Sequence, residues 1–181
     1  MKTSIPTLLS LLLLFAAAVP PAAAQQSGQS DDPFRAQFMR HFDYASRVLQ
    51  LAEAMPAEFY DWRPGEGVYS VERVYTHIAR YNYYYLENSL GIAAPEDVDV
   101  DNIESFTGKQ QVVDILERSI KHVQAAVEEM PASTFTDPAQ LYGQTVDGQA
   151  VLLQLITHMS EHVGQSIAYA RMNDVVPPWS R

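Results

Sequence analysis

Four stretches of this chain repeat apolar residues at three- and four-residue steps, and no stretch sustains the alternation of a strand. The first runs from about Phe34 to Met55, with Phe34, Phe38, Phe42, Ala45, Leu49 and Ala52 on one stripe. Pro56 ends it, because proline disfavours helix at the residue before it. The second starts after Ser70, an N-cap residue with Glu72 in the first turn near the positive dipole end. It runs through Val71, Val74, Tyr75, Ile78, Asn82 and Tyr85 to about Leu90, where Gly91 stops it. The third covers about Lys109–Met130 (Val112, Leu116, Ile120, Val123, Val127) and closes at Pro131. The fourth covers about Gln149–Asn173, with Leu152, Leu155, Ile156, Met159, Val163 and Ser166 on its inner side. Four such segments can bury their stripes only against one another, which predicts an all-α four-helix bundle. The connections are longer than the usual few residues, so at least one is expected to cross the bundle. Tyr81–Tyr85 carries tyrosine on every side of its helix, so at least one should face solvent or a partner subunit.

The segment before the first stripe has a different character. Lys2, the apolar run Leu8–Val19 and the small residues Ala22-Ala23-Ala24 have the layout of a secretory signal peptide, with an apolar core too short for a good membrane span. The expected division is a signal peptide over 1–24, a polar flexible leader over 25–32, the bundle over 33–176 and a tail over 177–181. No cysteine follows the apolar run to take a lipid, so the expected destination is periplasmic or secreted, with no membrane association after cleavage. Roughly 150 residues remain, enough for a core without crosslinks. The absence of cysteine removes disulfides, thiolate metal sites and cysteine nucleophiles together. A net charge of −10 without a Lys/Arg cluster argues against nucleic acid as a partner.

The strongest local signal is His158-Met159-Ser160-Glu161-His162. Histidines four apart on a helix stand about 40° apart around its axis, so both imidazoles can converge on one ion. Met159 occupies the place where a zinc protease of the H-E-x-x-H type has its glutamate, which excludes that class. The competing use of such a pair is hydrogen bonding across the bundle. A useful site needs a further ligand from another helix. His77, at mid-helix beside Tyr81 and Tyr84, is the first candidate and His41 the second; His122 is expected on the solvent side. Helical spacing places Tyr81, Tyr84, Gln165 and Tyr169 along a pocket above the histidines, with ordinary core packing as the alternative. Glu161 is expected to support a ligand or a neighbouring helix rather than act as a base.

Two sets of residues carry a family resemblance. Trp62-Arg63-Pro64, then Gly65, Gly67, Ser70, Glu72 and His77-Ile78-Ala79, resemble the central signature of the DinB/YfiT-like superfamily. His158-x3-His162 followed by Gly164-Gln165 is similar to its terminal element. Tyr69 stands where many members have tryptophan. The resemblance spans about Phe34 to Arg171. It implies a bundle with up-down-down-up connections, a metal site made by His77, His158 and His162, and often a homodimer. Three imidazoles suit Zn²⁺, Ni²⁺, Fe²⁺ or Mn²⁺. The superfamily includes thiol-dependent S-transferases, a maleylpyruvate isomerase and metal-dependent hydrolases. The expected function is therefore a metal-dependent hydrolase or transferase acting on a small molecule. The alternatives are a non-catalytic metal-binding or stress-related protein, and a bundle that binds a partner through its tyrosine-rich helix. Export disfavours the thiol-dependent version, because low-molecular-weight thiols are chiefly cytosolic.

Overall fold

In the computed structural model, residues 32–180 are described; the expected signal peptide and nearly all of the leader lie outside them. Asp32 caps the first helix, α1 (Pro33–Ser46), by accepting from the Phe34 and Arg35 amides. The first apolar stripe is not one continuous helix, since α2 (Val48–Ala54) follows a break at Arg47. No proline or glycine announces that break. Arg47 turns instead to stack over Tyr44 at 3.7 Å and over Trp179, from the C-terminal tail, at 4.5 Å. Ser70 caps α3 (Val71–Leu90), and Gly91, at φ 70, ends it in the left-handed region as expected. Helices α4 (Lys109–Glu129) and α5 (Gly148–Met172) lie within a residue of the expected third and fourth stripes.

The direction of each helix follows from its contacts. Glu72, at the start of α3, accepts from the amide of Gly108 at the start of α4; further along, Asn82 donates to Ser119 and Tyr83 packs on His122. Partners therefore advance together, and α3 and α4 are parallel. Between α1–α2 and α4 they run oppositely: Arg35 donates to the Val127 carbonyl, Gln124 to Asp43 and Lys109 to the Glu53 carbonyl. Along α3 and α5, Tyr75 meets Ser166 while Tyr85 meets His158, so those two helices are antiparallel. The order is up-down-down-up. Two consecutive parallel helices cannot be joined by a tight turn, so residues 91–108 return along α3, with a short 3₁₀ turn at Val100–Ser105 packed against it.

The tyrosine run is covered by several elements. Asn82, Tyr83 and Tyr85 are buried and Tyr81 and Tyr84 half-buried: Tyr83 packs on His122 of α4, Tyr85 on His158 of α5, and Ala94, Val98 and Val100 of the return segment stand beside Tyr84. His122, expected in solvent, is half-buried against Tyr83, with ring centroids 5.1 Å apart. The connection from α4 to α5 also holds a feature that the periodicity did not show: a hairpin of β1 (Pro138–Leu141) and β2 (Gln144–Asp147), paired from Pro138–Asp147 to Leu141–Gln144. Its strands are too short for a visible alternation.

The core fills the space between the stripes with Phe38, Phe42, Leu51, Ile78, Leu116, Val123, Leu152 and Met159. Among the described residues no helix is long and apolar enough to cross a membrane. Gly148 starts α5 where a side chain has no room, since an added Cβ would lie 2.0 Å from the Thr134 carbonyl oxygen. Replacement by alanine must push backbone apart, and Gly148→Ala is expected to destabilise the fold by about 3 kcal/mol. Urea unfolding of the variant beside the parent measures this.

Candidate metal centre

His77 projects from the middle of α3, and His158 and His162 project from adjacent turns of α5. The antiparallel packing brings the three rings together, with centroids 4.7–5.0 Å apart. Each ring offers a nitrogen to a common region in which all three atoms lie within 4.8 Å of one another. The Nε2 atoms of His77 and His158 are 3.2 Å apart. Two imidazole nitrogens on one tetrahedral metal at about 2.0–2.1 Å stand roughly 3.3 Å apart. The donor set therefore fits one divalent transition ion, whose identity these ligands do not select.

Neighbouring side chains decide which nitrogens face inward. Glu104 Oε1 lies 2.5 Å from His77 Nδ1, so the carboxylate accepts that N–H and leaves Nε2 with its lone pair. Glu104 is held in turn by Arg73, which bonds its Oε2 and, at 2.8 Å, its carbonyl. On the other helix, Gln165 Oε1 accepts from His162 Nδ1 at 2.9 Å, while Gln165 Nε2 donates to the Tyr169 hydroxyl at 2.8 Å. Trp62, from the loop before α3, sets its ring edge-on against Tyr169. His162 thus also turns Nε2 towards the centre. In the metal-free state the close His77–His158 pair needs one proton between the two nitrogens.

The same surroundings disfavour protonation of His158 and His77. Burial, with the neighbouring His162 and His77 adding, pushes the His158 pKa down to about 3. Burial also lowers that of His77, outweighing the bond from Glu104 that raises it. Neutral imidazole is the form that binds metal.

The remaining expected residues fall into two groups. Tyr81 packs on the site, its ring 4.5 Å from His158 and 4.6 Å from His77, and Gln165 and Tyr169 support His162. Tyr84 stands one ring further out, against Tyr81 and beneath Arg80. His41 lies elsewhere, exposed beside an apolar groove between α1 and α5 that Phe34, Phe38, Leu153 and Ile156 line. Glu161 is exposed; the carboxylate that supports a ligand is Glu104. Nothing in the sequence spacing marks Glu104, 27 residues beyond His77 in the acidic connection, because only the fold of the return segment brings it to the ligand. Tyr69, at the position of the superfamily's tryptophan, sets its ring edge-on to His77 at 5.4 Å.

The sequence matches the DinB family over residues 27–180. The chain belongs to the DinB family. Solved structures agree on the fold. A DinB-like protein from Bacillus cereus superposes with a TM-score of 0.68 at 18% identity, covering 78% of this chain and 93% of the other. A conserved protein from Enterococcus faecalis gives 0.61 at 17% identity, covering 75% and 94%. A DinB-like protein from Bacillus subtilis gives 0.60 at 18% identity, covering 83% and 99%. Among curated proteins none matches this DinB chain.

Two outcomes follow from the geometry. Glu104→Gln retains the side-chain shape but loses the charged acceptor, and is expected to weaken metal binding about 10–100-fold; competition with a chromophoric chelator measures it. In the metal-free protein, the folded-state pKa of His158 and His77 lies below the unfolded value of about 6.5. The unfolded chain then binds more protons below that pH, so stability present above about pH 6.5 is lost as pH falls. Urea midpoints of the metal-free protein between pH 7.5 and 5 should decline, and less steeply in His158→Gln.

Proposed function

We propose that this DinB-family chain is an exported metalloprotein that holds one divalent transition ion on His77, His158 and His162 and acts as a hydrolase or transferase on a small molecule. The observation that carries this is the double orientation of the ligands: Glu104 on His77 and Gln165 on His162 each occupy Nδ1 and turn Nε2 to the centre. With Nδ1 of both residues occupied, the lone pairs of His77 and His162 are left to meet an ion at the centre. Three imidazoles leave coordination positions open, and an ion there supplies Lewis acidity towards an oxygen of a bound molecule. Tyr81 forms one wall against two of the ligands and limits the water that reaches them. Tyr84 packs on its outer side, and Trp62 braces Tyr169 on the side of His162. Export rests on the layout of residues 1–24, and the absence of a basic cluster leaves nucleic acid without an electrostatic footprint. A homodimer belongs to the same proposal through the superfamily resemblance.

Protein prepared without residues 1–24 is expected to bind about one transition metal per chain, the capacity of a single three-histidine set. Elemental analysis after exposure to Zn²⁺, Ni²⁺, Mn²⁺ and Fe²⁺ measures this, with loss in the His158→Ala/His162→Ala double variant. Absence of metal in the parent protein would sink the proposal. Metal with a raised melting temperature but no turnover on esters, amides, phosphoesters or thiol conjugates would favour a non-catalytic metal-binding protein of the same fold.

A further inference from the structure

The hairpin between α4 and α5 turns through Tyr142 and Gly143, which join the paired residues Leu141 and Gln144. Both turn residues have positive φ, 50° and 79°. A two-residue hairpin with both centres in that region normally takes Asn, Asp or Gly, because a larger side chain crowds the backbone. Tyrosine at the first position is a poor choice for the turn. Burial does not repay it, since Tyr142 is 63% exposed. What the position provides is one contact: the Tyr142 hydroxyl lies 2.5 Å from that of Tyr85.

Tyr85 connects this contact to the metal centre. It is buried, its ring is 5.9 Å from His158 and 5.6 Å from Tyr81, and the Gln154 side chain stands near its hydroxyl. Either hydroxyl of the pair can donate; when Tyr85 donates to Tyr142, the proton of Tyr142 is available to an outside acceptor. The hairpin rests on α3 and α5, the two helices that carry the three histidines. Tyr142 therefore stands two ring contacts from His158 with its side chain largely exposed.

We propose that Tyr142 is a specificity-determining residue of the metal centre, donating a hydrogen bond to a carboxylate or carbonyl oxygen at the far end of an elongated ligand whose near end reaches the ion. The proposal rests on the function proposed above and adds the chemical class of the ligand. The strained turn holds this hydroxyl against that of Tyr85, which packs on His158.

Monohydroxamates of succinate, glutarate and adipate test this on the Zn²⁺-loaded protein, with acetohydroxamate as the probe lacking a distal group. Calorimetric dissociation constants should show one chain length binding about tenfold tighter than acetohydroxamate, the size of a charge-assisted hydrogen bond. Tyr142→Phe should bring that compound to within about twofold of acetohydroxamate, whose own affinity stays unchanged. Tyr142→Asn should lose the same discrimination while melting at a higher temperature, because asparagine suits the turn. Equal weakening of all probes in Tyr142→Phe, or no advantage from any distal carboxylate, overturns the assignment and leaves the metal site standing. Failure of acetohydroxamate itself to bind the Zn²⁺-loaded protein overturns both.

Discussion

The parallel packing of α3 and α4 is the constraint from which the site follows. Helices adjacent in sequence usually run antiparallel through a short turn; here Glu72 meets Gly108 and Asn82 meets Ser119, so both helices start at the same end. The chain must then travel back along α3 before α4 can begin. The return carries Glu104 past the one α3 residue that faces α5 as a ligand, and the carboxylate bonds His77 there. A tight hairpin in place of residues 91–108 would leave His77 Nδ1 without this acceptor. Topology sets the tautomer of a ligand.

Charge explains why that carboxylate is tolerated at the edge of the core. The Glu104 and His77 side chains are only 16% and 14% exposed, and a lone carboxylate at such a place would be costly. Arg73 on one oxygen and the His77 N–H on the other satisfy both lone-pair directions, and Arg73 also takes the Glu104 carbonyl. A positive charge at the imidazole centre would gain from Glu104, which stands on its far side. Burial and the crowding of three rings disfavour protons there. A transition ion satisfies the attraction while its bonds to nitrogen compensate for the lost hydration, which protonation cannot do for three rings at once.

The parts legible in the sequence are those written in local spacing. The α3, α4 and α5 stripes gave boundaries within about a residue, because Ser70, Gly91 and Pro131 mark ends by local chemistry. Convergence of His158 with His162 follows from the helical repeat alone. The choice of His77 over His41 came from resemblance, and the structure gives its reason: α1 turns His41 to an outer groove, on a side that periodicity could not distinguish. The break at Arg47 stayed hidden because no proline or glycine marks it and Trp179, one of the two rings on which Arg47 stacks, is 132 residues away in sequence. The hairpin stayed hidden because four-residue strands carry almost no pattern and the turn lacks the usual Asn-Gly signal. Features fixed by distant partners leave no periodic trace.

Glu161 and Glu104 show the same limit within the site. Glu161 lies between two ligands in sequence, yet a helix turns adjacent residues about 100° apart, so a neighbour of a ligand points elsewhere. It also stands three residues after His158, the spacing Gln165 has from His162, and yet its side chain is exposed. A supporting group for a helical ligand must come from the same face one turn away, as Gln165 does for His162, or from another segment, as Glu104 does for His77. Adding three or four to the ligand's number narrows the first kind to a few candidates, here Glu161 for His158 and Gln165 for His162, of which only Gln165 bonds its ligand. The second depends on the path of a connecting segment, and in this fold that path is dictated by two helices running the same way.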